Sequence, residues 1–345
     1  MLPLLVLPLL VLLLLILLLV TDWNNTGPTG YCPSSKKPSC CNPADCDTAT
    51  CVPTPPQKED GPGGLCTSVV AQQADGSIVH GRNLDWNLNP SERKLVINVN
   101  YVQKGRIVYT STQPIGFVGV LNGIRHPDAS GTGGWSFSMN ARQHGGPLLA
   151  NVLDALLHDG EATPAQHGRR ALHSAATFDA GVEYVLSSSL SSSLSSSLSS
   201  SLSSLLSSLL TSARRRYLAG GDLVNECYFI VGGVAKGEGV IVTRDRDSNA
   251  TGRNLWRLDL PAKGGWYRLQ TNYDHWAGVG AKGGPPRSDD RRTPGDAHMS
   301  AVGAAKIDGA SMFEVVTEWP TKNHHTDFTA VMVAKTGYYK AVRWE

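Results

Sequence analysis

Ala74, Asp75 and Gly76 separate two runs with strand character, CTSVVAQQ before them and SIVHGRNLD after. An Asp-Gly pair in that position is a strong hairpin signal, because both residues tolerate the backbone that tight turns require. With Asp75 and Gly76 as the central pair of a two-residue turn, Cys66 stands opposite Asp85 across the ladder. Directly opposed residues share a face with Cβ atoms ~4.5–5.5 Å apart, so the pattern sets a carboxylate beside a thiol. In the same register Arg82 points to the other face, and a bulge or an early strand end is needed to bring it round.

The rest of the chain is consistent with a protein built around such hairpins. Strand signals cover about 65–73, 77–85, 95–102, 106–111, 116–121, 135–139, 227–233, 239–244, 266–271, 328–334 and 338–344, and helical periodicity covers 147–158 and 297–318. Many antiparallel hairpins with few helices imply a layered α+β fold, not a doubly wound parallel sheet.

Three segments depart from that pattern. Residues 1–20 are uninterrupted apolar positions, ~30 Å long if helical and so able to cross a bilayer. They read either as a cleaved signal or as an uncleaved anchor, and both readings send the following chain into the secretory pathway. Residues 21–65 form a Cys/Pro-rich leader without apolar periodicity, a linker or small disulfide knot of propeptide type. In the Leu/Ser repeat at 186–212 leucine recurs at every fourth position, which drifts ~40° per step around a helix. It is read as a low-complexity insertion in a surface connection.

Composition excludes some partners and suggests a compartment. The chain carries 31 basic and 29 acidic side chains, without the basic footprint that nucleic acid requires. No HExxH, paired CxxC or phosphate-loop spacing occurs, so neither a metal nor another cofactor is expected. Asn24 and Asn249 begin N-x-T sequons. With Cys66 set aside as a free thiol, Cys32, Cys40, Cys41, Cys46, Cys51 and Cys227 could form three bridges in an oxidising lumen.

CTSVVAQ, HGRNLDW, YFIVGG, GVIVTRDRD, QTNYDHW and DDRRTP, in that order, closely resemble the acid ceramidase and N-acylethanolamine acid amidase group of the choloylglycine hydrolase superfamily. The likeness runs from about Gly64 to the C-terminus, omitting the Leu/Ser repeat. It implies a four-layer αββα sandwich of N-terminal nucleophile type over 66–345, with two antiparallel sheets between helices. It also implies a precursor that cuts its own chain immediately before Cys66. A thiol at its reference pKa is mostly protonated at neutral pH, and an α-amine freed on the same residue can accept its proton.

The resemblance further implies that Asp85 orients that amine and that Arg82 supports the thiolate or binds the acyl group. Asn272 donates to the oxyanion, Asn140 adds a second contribution through backbone or side chain, and Arg291 holds the network together. Each has a plainer alternative: Cys66 as a small buried hydrophobe, Asp85 as a turn or cap residue, and Asn272 as a turn closure. Arg291 and Arg292 could likewise form surface ion pairs with Asp289 and Asp290.

The implied activity is hydrolysis of a fatty N-acyl amide through an acyl-thioester, with ceramide the first substrate and N-acylethanolamines the second. The compartment is a lysosome-like lumen or the cell exterior, and a membrane surface or lipid-presenting protein is the partner that such a substrate implies. Members of the group carry a longer segment before the nucleophile that stays associated after cleavage; association of the 21–65 leader is left open. Two other classes stay open as well: a catalytically silent, membrane-anchored binding protein, and an acyltransferase that runs the same thioester in the direction of amide formation.

Overall fold

A computed structural model describes residues 65–128, 130, 132–142, 163–186, 226–245, 255–260, 262 and 264–345. The hairpin forms from β1 (Leu65–Gln72) and β2 (Ile78–Asp85), but its turn is longer than two residues. Gln73 N–H donates to Ser77 O at 2.8 Å, leaving Ala74, Asp75 and Gly76 as a three-residue loop in which Gly76 takes a left-handed φ of 83°. The Asp75 carboxylate accepts from Ser77 N–H at 2.8 Å and so fixes the loop.

That extra residue slips the ladder by one. Cys66 faces Leu84, Ser68 faces Arg82 and Leu65 faces Asp85. A slip of one exchanges the two faces of a strand, so the expected pairing of Cys66 with Asp85 is corrected. Arg82 shares the face of Cys66 without any bulge, and Asp85 lies on the opposite face.

The other strands are β3 (Val96–Gln103), β4 (Arg106–Pro114), β5 (Asn122–Arg125), β6 (Trp135–Ala141), β7 (Cys227–Gly232), β8 (Gly239–Arg244), β9 (Leu255–Arg257), β10 (Tyr267–Gln270), β11 (Phe328–Val333) and β12 (Tyr338–Arg343). They make two antiparallel sheets, one ordered β10-β1-β2-β11-β12 and the other ordered β3 to β9 in sequence. The helices are α1 (Pro90–Arg93), α2 (Pro164–Ser174), α3 (Phe178–Leu186), α4 (Arg292–Val302) and α5 (Gly309–Thr317), with a 3-10 turn at Arg287–Asp289.

Strand alternation sorts the side chains into layers. Trp135, Phe137, Phe229 and Val231 pack with Leu172 of α2 and Val182 of α3. Val69, Val79 and Val331 pack with Met299 of α4 and with Met312 and Val316 of α5. Between the sheets, Val70 and Ile78 meet Tyr228, Ile230 and Ile241. Each such side chain stabilises the fold by ~1.5–3 kcal/mol relative to exposure. The result is the expected α+β sandwich of two antiparallel sheets between helices.

Two expectations about elements are corrected, and two helices are added to them. The strand expected over 116–121 is an irregular connection: Gly119 takes a φ of 143°, Val120 N–H donates to Ala165 O at 2.9 Å, and extended structure begins only at Asn122. The single helix expected over 297–318 is two helices, because Asp308 caps a new one by accepting from Ser311 N–H. Helices α2 and α3 were not expected, although Thr163, Pro164 and Gln166 at the start of α2 form a capping box with proline in its first turn.

Residues 1–64, the helix expected over 147–158, the Leu/Ser repeat beyond Leu186 and both sequons lie outside the described residues. Among the described residues no helix is long and apolar enough to cross a membrane. Cys227 is a buried free thiol, so it is not in one of the three bridges that the cysteine count allows.

Candidate active site

Cys66 is the second residue of β1 and is 3% exposed. Its side chain points toward the seven-stranded sheet, together with Ser68 on its own strand and with Arg82 and Leu84 on β2. Arg82 Nη2 donates to Cys66 Sγ at 3.4 Å. Arg82 Nη1 crosses to the other sheet, donating to Met139 O at 2.6 Å and to Asn140 Oδ1 at 3.0 Å.

The far end of Asn140 braces the segment that follows β10. Its Nδ2 donates to Gln270 O at 2.8 Å and to Thr271 O at 3.2 Å. The next residue is Asn272, whose Oδ1 accepts the Cys66 N–H at 2.7 Å and whose Nδ2 donates to Ala141 O at 2.9 Å. Arg142 then grips Asp274 with both ends, Nε to Oδ1 at 2.8 Å and Nη2 to Oδ2 at 3.0 Å. Two backbone segments carrying site groups are thereby bound to each other.

Arg291 approaches from the opposite side, at the start of α4. Nη1 donates to Cys66 O at 2.8 Å, Thr67 Oγ1 at 3.1 Å and Asp85 Oδ2 at 3.3 Å, while Nη2 donates to Asn272 Oδ1 at 2.8 Å. Asp289 closes the group, accepting from Arg291 Nε at 2.7 Å. Asn323 Nδ2 reaches Asp85 Oδ2 at 3.3 Å.

All six residues expected to form a site are therefore brought together, by three strands, the segment that follows β10 and one helix start. The geometry differs from expectation in two respects. The Cys66 N–H goes to Asn272 Oδ1, while the Asp85 carboxylate meets Arg291 on the other face of the strand. The Asn140 side chain is committed to Arg82 and to backbone carbonyls. For Arg291 and Arg292 it is the plainer alternative that is set aside: Arg291 is buried against Cys66 O, Asn272 and Asp85, and Arg292 donates to Tyr273 O and Ala277 O. Thr67 and Asn323 were not expected: Thr67 had only its place next to Cys66 as a signal and Asn323 had none, while Asp289, read only as a surface ion-pair partner, is the acceptor of the buried Arg291.

Burial dominates the electrostatics. It pushes the Cys66 thiol above its ordinary pKa, Arg82 pulls it back, Asp85 adds to the rise, and Arg291 and the Asp85 backbone N–H oppose it. Burial also pushes the Asp85 carboxyl up, chiefly against Arg291. Burial pulls Arg291 down, but Asp289 and Asp85 together more than offset this and leave its pKa raised. Two guanidinium groups thus flank a dry sulfur, one at Sγ and the other at the carbonyl of the same residue. Among the described residues no cluster of three or more His, Cys, Asp or Glu could hold a metal ion.

Two antiparallel sheets between helical layers, with a cysteine at the start of an inner strand, define the fold class of the N-terminal nucleophile hydrolases. No family model matches the chain. The N-acylethanolamine-hydrolyzing acid amidase of Cavia porcellus is 33% identical over 272 residues, 79% of this chain and 62% of the relative. The acid ceramidase of Heterocephalus glaber is 27% identical over 290 residues, 80% of this chain and 61% of the relative. A solved Caenorhabditis elegans N-acylethanolamine-hydrolyzing acid amidase ortholog superposes with a TM-score of 0.60 at 27% identity, covering 81% of this chain and 100% of the solved one. The chain is thus homologous to members of the acid ceramidase and N-acylethanolamine acid amidase group. It spans about three fifths of the length of the curated relatives it matches.

Proposed function

We propose that this chain is a cysteine amidohydrolase of fatty N-acyl compounds, active once the bond between Leu65 and Cys66 is cut. The observation that carries the reading is the double hold on Cys66: Asn272 Oδ1 on its backbone nitrogen at 2.7 Å and Arg82 on its sulfur at 3.4 Å. In the cut chain that nitrogen is an α-amine, and a hydrogen bond donated to Asn272 leaves its lone pair free for the thiol proton. Arg82 then balances the thiolate.

Sγ attacks the acyl carbonyl, the tetrahedral intermediate expels the amine with the proton held on the α-amine, and water hydrolyses the resulting thioester. Self-cleavage uses the same atoms. Sγ attacks the Leu65 carbonyl, the acyl group passes from nitrogen to sulfur as the thiol proton goes to the departing nitrogen and frees the amine, and hydrolysis of the thioester releases the Leu65 carboxylate and restores the thiol. Asn272 Nδ2, now on Ala141 O, is the proposed oxyanion donor; such a donor is worth ~3–4 kcal/mol of barrier. With the Asn140 side chain committed elsewhere, only its backbone is left for a second contribution. Asp85 acts through Arg291, which joins it to the Cys66 carbonyl.

The greater identity to the acylethanolamine-hydrolyzing relatives puts that head group ahead of ceramide, reversing the order read from the motifs. The reading includes an acidic secretory lumen, a leader up to Leu65 that is cut away, and a lipid surface that supplies substrate. Intact-mass measurement and N-terminal sequencing test it. Active protein should contain a fragment beginning at Cys66, and Cys66→Ala should remain one chain without amidase activity. Amidase activity in purified Cys66→Ala, or in an uncut chain, rules the mechanism out.

A further inference from the structure

His80 is fully buried on β2, on the face it shares with Arg82 and Cys66. It touches none of the reacting groups described above. Its two ring nitrogens meet two serines of the opposite sheet, Nδ1 to Ser136 Oγ at 3.0 Å and Nε2 to Ser138 Oγ at 2.8 Å. From Ser138 the bonds continue across the sheet interface. Ser138 Oγ donates to Ser68 Oγ at 2.9 Å, and Ser68 Oγ donates to Asn140 Oδ1 at 2.9 Å. Asn140 Oδ1 is the same atom that receives Arg82 Nη1.

Counting protons gives this chain a direction. Each serine has one hydrogen and can donate only once. If Ser68 donates to Asn140 and Ser138 donates to Ser68, then Ser138 can only accept from His80, so Nε2 carries the imidazole proton. Burial, and then Arg82, hold the His80 pKa down to about 3, so the ring is neutral. Nδ1 is then an acceptor facing the Ser136 hydroxyl, whose single hydrogen is shared between it at 3.0 Å and Gly232 O at 3.1 Å. The opposite tautomer would free Ser136 to donate to Gly232 O, but it would draw the Ser138 hydroxyl back to His80 and leave Ser68 without its donor, cutting the chain that runs on to Asn140.

The same count fixes the Asn140 amide. With Oδ1 receiving Ser68 and Arg82, Nδ2 must face Gln270 O and Thr271 O, next to the asparagine that holds the Cys66 nitrogen. A flipped amide would set an NH2 against a guanidinium.

Building on the amidase reading, we propose that His80 is a positioning residue for the nucleophile. Through Ser138, Ser68 and Asn140 it fixes the direction in which Arg82 meets the Cys66 sulfur.

The test reads the sulfur directly and needs no substrate. Alkylation of Cys66 by iodoacetamide is followed by mass spectrometry as a function of pH in the full-length protein. Cys227, buried and free, serves as an internal marker of unfolding because it reacts only when the core opens. Ser68→Ala breaks the chain in its middle, and the expected result is about tenfold slower Cys66 alkylation below the midpoint, with the midpoint raised by about one pH unit. His80→Gln, which keeps one donor and one acceptor, should restore near-parental behaviour, whereas His80→Leu should match Ser68→Ala. If Ser68→Ala exposes Cys227, the Gln and Leu variants decide the matter alone. Parental midpoints in folded Ser68→Ala, or in both folded His80 variants, overturn the proposal, as does equal impairment in Gln and Leu. Loss of the amidase reading itself would appear differently, as an uncut, inactive parent protein whose Cys66 midpoint still responds to these substitutions.

Discussion

Arg291 is the residue on which most of the site converges, and its energetics follow from what it leaves behind when removed. It is 2% exposed and holds Asp85 and Asp289, both buried or nearly so. Breaking a buried pair by deleting one partner typically costs ~3–5 kcal/mol, because the other charge stays in a dry environment. Arg291→Met is expected to lose that much in urea unfolding at pH 7. The loss should be smaller at pH 5, since Asp85, already raised by burial and now without its cation, takes up a proton. A loss under ~1 kcal/mol at pH 7 would mean that water or other donors replace the guanidinium. The residue types at this site were legible in the motif order, while their contacts were not. Whether Asp85 reaches Cys66 directly or through Arg291 depends on a single turn residue, and the His80 chain exists only after two sheets are packed face to face.

At the scale of elements, α2 is the least expected helix and the most tightly seated. Its sequence, PAQHGRRALHS, is polar on average, with Leu172 its one large aliphatic side chain, which is why a search for a hydrophobic stripe passes over it. It is positioned by close approach: Gly168 lies directly over the Phe137 ring of β6, so that a Cβ there would collide with the ring. Phe137 is on the outer face of the strand whose inner face carries Ser138 and Asn140. Gly168→Ala should therefore destabilise the fold by ~1–3 kcal/mol through overpacking, although alanine is the better helix former. Chemical denaturation checks this, and an unchanged or raised midpoint would mean that α2 can lift without cost. Hairpins were the best-read elements because turn chemistry is local; the break between α4 and α5 was missed because both halves continue one apolar pattern across the Asp308 cap.

For the molecule as a whole, the buried titratable groups make stability depend on pH in two opposing ways. His80 and His167 are held neutral, with pKa values lowered to about 3 and about 4 by burial, followed for His167 by Arg244 and for His80 by Arg82. The unfolded chain binds protons on these histidines below about pH 6.5 while the folded chain does not, so acidification toward pH 4 favours unfolding. Asp327 works in the other direction. Burial raises it to about 6, although it accepts Trp86 N–H at 2.8 Å and Leu88 N–H at 2.9 Å and faces Arg93 at 3.1 Å. Between about pH 6 and pH 4 the folded chain takes up this proton before the unfolded chain does, and stability rises on acidification. The carboxyl thus offsets part of the histidine penalty in the range where an acidic lumen would hold the protein. Asp327→Asn removes the compensating group. Whatever fixed cost the lost acceptor carries, the variant should lose more stability than the parent when pH is lowered from 7 to 4.5. Urea midpoints of both proteins at the two pH values measure the difference, and an equal or smaller loss in the variant would show that the Asp327 proton is not taken up on folding.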